Sequence, residues 1–311
     1  MVSRLVPHER IALVFRSIAS GAFAVSACPP PNPLPQAGGG VSAAIATAAA
    51  QFAFSATPRL DAELLMAHAL GIDRNRLLLD MARPVPPAFA ALVDRRAAHE
   101  PVAYITGTRG FWTIDLAVGP GALVPRPDSE TLLIAAAAHF GDEAPATILD
   151  LGTGPGTLLL AALDEWPARG LGIDRSAAAL DYARRNAARL GMADRARFLR
   201  GDWAAALDAR FDLVLANPPY IGTGETLPDE VRAHEPAGAL FAGADGLDDY
   251  RVLARQLPRL IAPSGCASVE IGHTQAQSVA ALFARQGLAS HIHRDLGGRD
   301  RCLLVRPAPR G

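Results

Sequence analysis

Short apolar runs alternate with helical stretches through the second half of the chain. Apolar runs bounded by glycine, proline or charge predict buried strands. The predicted strands are Thr147–Leu151, Gly170–Ile173, Ala196–Leu199, Phe211–Ala216, Cys266–Ile271 and Arg301–Val305. Helical periodicity fills the gaps, over Gly156–Trp166, Ser176–Leu190, Asp248–Leu260 and Thr274–Gln286. This alternation predicts an α/β fold with a mostly parallel, doubly wound sheet, whose ligands bind beyond the carboxyl ends of the strands.

The chain before this region carries a helical pattern. The segment Leu60–Gly71 places apolar side chains on one stripe, with His68 expected in the core and Gly71 as the C-cap. Two more helices are predicted over Asp73–Met81 and Pro87–His99. Residues 101–125 partly alternate between apolar and polar positions, which predicts a hairpin. The predicted organisation is a helical domain over 41–100, a hairpin linker over 101–125 and an α/β domain over 126–311.

Residues 1–40 differ in character from the rest of the chain. Prolines and glycines crowd the stretch from Cys28 to Gly40, and such a density does not form a packed element. We expect either a disordered extension or a start codon assigned upstream of the real one. An export signal is the alternative, because Val25–Cys28 resembles a lipoprotein cleavage site, although Arg16 interrupts the apolar stretch before it.

Composition and charge narrow the classes of function. With 50% hydrophobic and 20% charged residues, and no apolar run near the roughly 20 residues that span a bilayer, the chain is typical of a soluble globular protein. All 30 basic residues are arginine, and the 31 acidic residues leave a formal net charge of −1. This balance argues against a strongly basic nucleic-acid binder. We therefore expect no membrane partner, no direct sequence-specific binding of nucleic acid, and a monomer.

The number and spacing of the cysteines exclude two further classes of protein. Cys28, Cys266 and Cys302 show no CxxC spacing and cannot all pair, so neither a disulfide framework nor a cysteine-rich zinc site is expected. We expect no metal, and a reducing cytoplasm as the location of the protein.

A glycine-rich turn follows the first predicted strand of the sheet and opens a helix. It consists of Gly152, Thr153, Gly154, Pro155 and Gly156. Glycines let the backbone turn sharply and let a ligand approach the main chain closely. The turn alone is a weak signal, because several classes of nucleotide enzyme use similar loops and because such a turn also serves packing.

Acidic residues on neighbouring strands sharpen this signal. Asp150 lies inside the first strand, and Asp174 ends the second, from where a carboxylate can accept both hydroxyls of a ribose. Asp202 and Trp203 follow the third strand and offer a polar edge and an aromatic face to an adenine. Strand-end acids are also common solvated caps, but together these residues predict a nucleoside pocket. A dinucleotide oxidoreductase requires Gly-x-Gly-x-x-Gly, whereas the third glycine here comes one residue early, so S-adenosylmethionine fits better.

The fourth predicted strand ends in Asn217-Pro218-Pro219-Tyr220. Two prolines stiffen the turn, which presents the Asn217 side-chain carbonyl and the Pro218 main-chain carbonyl to the same space. One planar NH₂ group can donate a hydrogen bond to each carbonyl, and Tyr220 can stack against that group. The acceptors stabilise the positive charge that grows on a nitrogen as it is methylated. A turn with a helix-capping asparagine is the alternative interpretation.

From about Leu60 to Arg306 the sequence resembles the protein-glutamine methyltransferases that modify peptide-chain release factors. The motifs that carry the resemblance are LDAELLMAHALG, PVAYITG, FW, LVPRPDSE, LDLGTGPG, NPPY, HEPAGALFAGADGLDDYR, EIGHTQ and DLGGRDR. The resemblance implies a class I S-adenosylmethionine-dependent methyltransferase with a Rossmann-like, mostly parallel seven-stranded sheet and a small N-terminal all-helical domain. It also implies that Arg301–Val305 is an antiparallel last strand.

The same resemblance implies the reaction and its residues. A methyl group moves from S-adenosylmethionine to the side-chain amide nitrogen of the glutamine in the Gly-Gly-Gln loop of a release factor. The residues expected at the cofactor are Asp150, Gly152, Thr153, Gly154, Pro155, Gly156, Asp174, Asp202, Trp203 and Asn217. The residues expected to hold the glutamine are Asn217, Pro218, Pro219 and Tyr220. The helical domain and hairpin would help to dock the release factor, and Pro125–Pro127 would line the entrance to the cofactor site.

Two alternatives stay open. A related group methylates a glutamine of a large-subunit ribosomal protein and shares most motifs, although Arg126–Glu130 looks more like the release-factor group. Methyltransferases that act on exocyclic amines of DNA or RNA use the same Asn-Pro-Pro-Tyr chemistry. Those enzymes must grip a phosphate backbone, for which a near-neutral chain is poorly supplied.

Overall fold

The computed structural model of the protein describes residues 40–308. Both expectations for the first part of the chain, an extension without packed structure and an export signal, fall almost wholly on residues 1–39 and lie outside the described residues. Between 40 and 308 the chain forms two compact units. The helical unit comprises residues 40–108 and 228–234, and the sheet unit comprises residues 109–227 and 235–308. The domain boundaries that the sequence predicts stay predictions. The sequence did not predict that residues 228–234 belong to the helical unit.

The helical unit is built around its own apolar core. Its helices are α1 (Val41–Gln51), α2 (Pro58–Leu70), α3 (Arg74–Leu79), α4 (Ala88–Ala97), α5 (Val102–Thr106) and the later α9 (Asp229–His234). Side chains of α1 to α5 and of the segment after α1 form the core, with Ile45, Phe52, Leu65 and Phe89 among its large members. Gly71 ends α2 in the left-handed conformation, with φ of +66°, as predicted.

Two local predictions for this unit are wrong. His68 is exposed, because the buried face of α2 is formed by Ala62, Leu65 and Met66 instead. Val102–Thr106 is a short helix and not part of a hairpin. Pro101 and the left-handed Gly107 bound this helix, and burial of its apolar residues outweighs their strand-like alternation.

Ion pairs between buried and half-buried groups connect distant parts of the helical unit. The Arg96 side chain, which is 3% exposed, lies 2.8 Å from Asp61 and 2.9 Å from Glu230. Asp61 belongs to α2 and Glu230 to α9, so Arg96 joins three helices through one guanidinium. A buried cation of this kind requires such partners, because desolvation without them is costly.

The sheet unit contains seven strands in one sheet, as the resemblance implied. They are β3 (Thr147–Leu151), β4 (Arg169–Asp174), β5 (Ala196–Arg200), β6 (Phe211–Ala216), β7 (Ile261–Glu270), β8 (Leu288–Arg294) and β9 (Asp300–Pro307). Their order is β5-β4-β3-β6-β7-β9-β8. The pairs among β3 to β7 are parallel, and β9 runs antiparallel to both its neighbours, which confirms the predicted class I architecture. Strand β8 was not predicted as a separate element.

Helices and a hairpin complete the sheet unit. The helices are α6 (Glu130–Phe140), α7 (Thr157–Glu165), α8 (Ala177–Arg189), α10 (Asp248–Leu260) and α11 (Ala276–Ala284). The hairpin is formed by β1 (Thr108–Phe111) and β2 (Ile114–Ala117), so it is shorter than the predicted linker. The chain crosses from β3 to β4 and β5 on one side, then returns to β6 on the other. This reversal leaves a crevice beyond the carboxyl ends of β3 and β6, where doubly wound sheets bind ligands. Among residues 40–308, no helix has the length and apolar character that crossing a bilayer requires.

Candidate active site

A cavity lies at the carboxyl ends of β3, β4 and β6 in the sheet unit. The predicted residues that line it are Asp150, Gly152, Thr153, Gly154, Pro155, Asp174, Asp202, Trp203, Asn217 and Pro219. Three other predicted residues, Gly156, Pro218 and Tyr220, are not part of its lining. The fold therefore brings most of the predicted side chains to one place, although they are spread over four segments of the chain.

Two glycines of the turn after β3 have separate physical roles. Gly152 has φ of +73°, and a Cβ built there would lie 3.4 Å from the Trp203 ring, so glycine lets the indole lie against the turn. Gly156 has φ of +88°, and a Cβ there would come within 2.8 Å of Leu160. Gly156 thus serves the close packing at the start of α7 and does not face a ligand directly.

A side chain from α8 binds the main-chain carbonyl of Pro155. Asn186 is fully buried, and its Nδ2 donates to the Pro155 carbonyl at 2.9 Å and to the Ala117 carbonyl at 3.0 Å. Its Oδ1 accepts from the Ala117 N–H at 2.7 Å. One amide therefore ties the glycine-rich turn to β2.

Asp150 is a buried carboxylate with one oxygen unused. Oδ2 accepts from the Thr153 hydroxyl at 2.6 Å and from the Leu159 N–H at 3.2 Å. Oδ1 is buried and has no hydrogen-bond partner among the described residues. Burial raises the pKa of Asp150 to about 7. Since an orphaned carboxylate oxygen in a cavity wall calls for a cation or donor, the α-ammonium of S-adenosylmethionine is a fitting partner.

The other nucleoside-binding candidates also fit that cofactor. The Asp174 carboxylate accepts the Gly154 N–H and the Ser176 N–H, each at 2.8 Å, which fixes its orientation at the end of β4. Each oxygen retains a second lone pair for a ribose hydroxyl. The Trp203 indole is anchored by a 3.2 Å hydrogen bond from Nε1 to Asp249 and presents an aromatic surface beside Gly152.

The corner after β6 lies beside the glycine-rich turn. A Cβ at Gly152 would lie 4.0 Å from the Asn217 main-chain oxygen. The Asn217 Nδ2 group donates to the Ser129 hydroxyl at 3.2 Å, and Ser129 donates to a carboxylate oxygen of Glu270 at 2.5 Å. With its nitrogen held in this way, Asn217 keeps Oδ1 as an acceptor.

Tyr220, the last residue of the same corner, has a different environment. Burial, and in second place the nearby Glu270, raise the pKa of Tyr220 to about 12, so its phenol is neutral at physiological pH. Its main-chain oxygen accepts from Gln275 Nε2 at 2.9 Å. These contacts fix the end of the corner, and stacking of Tyr220 on a substrate amide stays a prediction.

Several residues at the site were missed by sequence reasoning. Ser129 and Glu270 belong to motifs that carried the family resemblance, but no chemistry was assigned to them. Glu270 ends β7 at the same edge of the sheet as Asp174 ends β4, and this position was the available signal. At the cavity rim, the buried Glu235 pairs with Arg126 and accepts the Val124 N–H at 3.2 Å.

The described part of the chain offers no group of three or more His, Cys, Asp or Glu side chains that could hold a metal ion. Asp174 accepts from two main-chain N–H groups and keeps free lone pairs, whereas Asp150 Oδ1 has no hydrogen-bond partner among the described residues. The donor set therefore suits an organic, cationic ligand with hydroxyl groups.

Comparisons with known proteins cover both units. A family model of the PrmC N-terminal domain matches residues 43–107, and a methyltransferase domain model matches residues 142–276. A release factor glutamine methyltransferase of Rhodospirillum rubrum is 49% identical over 257 residues, which is 80% of this chain and 79% of that protein. Proteins of the same name from Caulobacter vibrioides and Cereibacter sphaeroides are 44% and 45% identical. Each aligns with 79% of this chain, and with 89% and 90% of its own length.

Proposed function

Because this chain belongs to the family of release factor glutamine methyltransferases, we propose that it methylates the glutamine of the Gly-Gly-Gln motif in peptide-chain release factors. The enzyme uses S-adenosylmethionine, and its methyl acceptor is the side-chain amide nitrogen of that glutamine. Methylation there modulates translation termination. The observation that supports the proposal best is the Asn217 amide, held at a stiff corner beside the cofactor turn.

The chemistry of an amide nitrogen explains what the corner must do. When bound, S-adenosylmethionine supplies a methyl group on a sulfonium, so that a nitrogen–carbon bond forms while the carbon–sulfur electron pair goes to sulfur. The amide lone pair is delocalised, so the nitrogen is a weak nucleophile. Asn217 Oδ1 and the Pro218 carbonyl each accept one N–H of the glutamine. They thereby orient the nitrogen and stabilise the positive charge that develops on it. The methylated nitrogen then loses one proton to water.

The residues proposed for the cofactor divide by the part they contact. Asp150 and the glycine-rich turn hold the amino-acid end, Asp174 accepts both ribose hydroxyls, and Asp202 and Trp203 contact the adenine. Thr153 holds Asp150 in place through its hydroxyl. Pro125 and Arg126 lie at the cavity wall, which supports the proposal that Pro125–Pro127 line the entrance.

Docking of the release factor, the oligomeric state and the cellular location are part of the same proposal. The helical unit and the hairpin help to dock the release factor, and the enzyme acts as a monomer in the cytoplasm. The near-neutral charge of the chain supports the absence of direct sequence-specific nucleic-acid binding.

Acceptor specificity tests the proposal. The protein is incubated with isotope-labelled S-adenosylmethionine and, separately, with a purified release factor, the same factor carrying Gly-Gly-Glu, a large-subunit ribosomal protein, and duplex DNA. We expect one methyl group on the release factor, located on the glutamine by mass spectrometry, and none on the Gly-Gly-Glu variant. Label on the ribosomal protein or DNA, with none on the release factor, would replace the proposal by one of its two alternatives.

A further inference from the structure

Hydrogen bonds connect three side chains in a row, from Asn217 at the corner after β6 to the buried carboxyl group of Glu270. Asn217 Nδ2 donates to Ser129 Oγ at 3.2 Å, and Ser129 Oγ lies 2.5 Å from Glu270 Oε2. Ser129 is 2% exposed and Glu270 is 1% exposed, so water does not compete for these contacts. Ser129 and Asn217 both line the cavity, whereas Glu270 lies behind them.

We propose that Glu270 is a positioning residue, which acts through Ser129 to hold the Asn217 amide with Oδ1 toward the substrate nitrogen. The inference rests on the proposed function, because it assumes that the substrate offers an NH₂ group to Asn217. Glu270 itself does not touch the reacting atoms.

The direction of the hydrogen bonds follows from the chemistry of the three groups. An ionised carboxylate only accepts, a hydroxyl donates one hydrogen bond, and an amide end group has a donor side and an acceptor side. The 2.5 Å separation is typical of a hydroxyl that donates to an ionised carboxylate. Since the Ser129 hydrogen is committed to Glu270, Ser129 can only accept from Asn217. Asn217 must therefore turn its nitrogen toward Ser129 and its oxygen away from it.

Neutral Glu270 removes this constraint. A protonated carboxyl group can donate to Ser129, whose own hydrogen is then free to bind Asn217 Oδ1. The amide can then rotate and present its NH₂ group to the substrate NH₂ group, and two donors do not bind each other. The ionised Glu270 carboxylate also makes Asn217 Oδ1 a stronger hydrogen-bond acceptor, because successive hydrogen bonds in one direction polarise each other.

The groups around Glu270 set the pH at which this change occurs. Burial raises the pKa of Glu270 to about 7, while the Ser129 hydrogen bond and nearby cations oppose the rise. The titratable or charged groups that act on it are Arg301, Asp128, Arg126, Tyr220, Tyr250 and Cys302. Tyr250 also donates through its hydroxyl to the Glu270 main-chain oxygen at 3.0 Å. The proton of Glu270 is thus exchanged within the range of ordinary assays.

The first test is the pH profile of kcat, measured with release factor at saturating cofactor. Saturation removes effects on cofactor binding, including those of Asp150. For the wild type we expect kcat to fall about tenfold per pH unit below about pH 7, as one carboxylate is protonated. Ser129→Ala should lower kcat at pH 8 roughly tenfold or more and abolish this acidic limb, with cofactor affinity within about threefold. Ser129→Thr, which keeps the hydroxyl, should restore both the rate and the limb.

A neighbouring serine provides the matched control. Ser268 lies two residues before Glu270 on β7, is fully buried, and donates to the Leu132 carbonyl at 2.9 Å. Ser268→Ala removes a buried hydroxyl of the same strand without touching Asn217, so it should keep the acidic limb. An unchanged acidic limb in Ser129→Ala would overturn the inference. Loss of the limb in Ser268→Ala as well would also overturn it, because the effect would then be general.

A second readout does not depend on turnover. The chain has four asparagines, Asn32, Asn75, Asn186 and Asn217, so asparagine-selective ¹⁵N labelling gives few side-chain amide signals. The Asn217 signal is identified by its loss in Asn217→Ala. We expect it to shift with a midpoint near pH 7 in the wild type, and to lose this shift in both Glu270→Gln and Ser129→Ala. A signal that does not respond to pH in the wild type would overturn the inference.

The two readouts separate the inference from the function on which it rests. If the wild type leaves the release factor unmodified but the Asn217 signal titrates as described, the proposed function fails while the hydrogen-bond chain stands. If methylation occurs without either pH effect, the function stands and the role of Glu270 is refuted.

Discussion

At the scale of single residues, the site depends on groups whose hydrogen-bonding capacity is only partly used. Within residues 40–308, Asp150 Oδ2 accepts hydrogen bonds while Oδ1 has no hydrogen-bond partner, and Asn217 donates through its nitrogen while its oxygen remains an acceptor. A hydrogen bond from within the protein to the free oxygen of Asp150 or Asn217 would stabilise the apo state. It would also remove the atom that is available to bind a ligand.

Replacement of Asn217 separates catalysis from cofactor binding. We expect Asn217→Ala to lower kcat at least about 100-fold, because one of two acceptors for the substrate amide is lost. The affinity for S-adenosylmethionine should stay within a few-fold, since other residues contact most of the cofactor. Single-turnover rates and calorimetric titration measure the two effects. An unchanged rate would refute the role given to Asn217.

Cofactor affinity should depend on pH through Asp150. The pKa of Asp150 is raised to about 7, so the carboxylate that pairs with the cofactor ammonium is lost as pH falls through that value. We expect the Kd of the wild type to rise as pH decreases from 8 to 6. Asp150→Asn should bind about tenfold more weakly at pH 8 and show little change over the same range.

Asp208→Asn is the control for that experiment, because Asp208 is exposed and outside the cavity lining. It should bind and titrate like the wild type in the same calorimetric series. If the Asp150→Asn protein keeps the wild-type slope of Kd against pH, Asp150 is not the group that holds the ammonium.

The site residues predicted from the sequence are those marked by a local motif or by the end of a predicted strand. Asn217 was visible because two prolines follow it, and Asp174 because it ends a predicted strand. Ser129 and Glu270 lie 141 positions apart in the chain and act only as a pair. No local pattern reports such a pair, since the sheet has to fold before the two side chains meet.

At the scale of elements, the glycine-rich turn illustrates how packing and ligand binding share one segment. Gly152 makes room for Trp203, whereas Gly156 makes room for Leu160 at the start of α7. The start of that helix therefore depends on the absence of a side chain at Gly156, independently of any ligand.

Gly156→Ala should destabilise the protein by about 2–4 kcal/mol, combining the strain of a left-handed alanine with the clash at Leu160. Gly191→Ala serves as the control, because Gly191 has φ of +69° but no atom lies within 4 Å of a Cβ built there. It should cost only about 1–2 kcal/mol. Urea unfolding measures the free energy of unfolding of both variants. Equal losses in the two variants would show that the contact with Leu160 does not contribute to the destabilisation.

The two strands that were predicted with the correct bounds are largely buried, whereas β5, predicted over Ala196–Leu199, is a partly exposed edge strand. Thr147–Leu151 and Phe211–Ala216 were predicted with the bounds that the structure shows, because a continuous apolar run leaves little ambiguity. Strand β8, Leu288–Arg294, lies at the sheet edge and mixes exposed with buried positions, so its pattern is weak. Its histidines, His291 and His293, do have the one-face spacing expected of a strand.

At the scale of the whole molecule, the helical unit has its own core and its own buried ion pairs. Arg96 joins α2, α4 and α9 within that unit, and its partners Asp61 and Glu230 are 35 and 134 positions away in the chain. The inclusion of residues 228–234 in the helical unit could not be predicted from local patterns, because the contact spans so much sequence.

Arg96→Ala should lower the stability of the helical unit by about 3–5 kcal/mol, because it leaves two carboxylates without their buried cation. Arg184→Ala, which removes an exposed pair with Asp181, should change stability by less than about 0.5 kcal/mol. Calorimetric unfolding measures both. At a temperature where both variants are folded, each should bind S-adenosylmethionine with the Kd of the wild type. A higher Kd for Arg96→Ala would assign Arg96 a role at the cofactor.

The role of the Asn217 corner is tested most directly by a crystal structure of the protein with S-adenosylhomocysteine and a release factor. We expect the side-chain nitrogen of the Gly-Gly-Gln glutamine to lie within hydrogen-bonding distance of both Asn217 Oδ1 and the Pro218 carbonyl. In that structure Ser129 should still connect Asn217 to Glu270. A glutamine outside the cavity, or an Asn217 oxygen turned away from the glutamine nitrogen, would contradict this role.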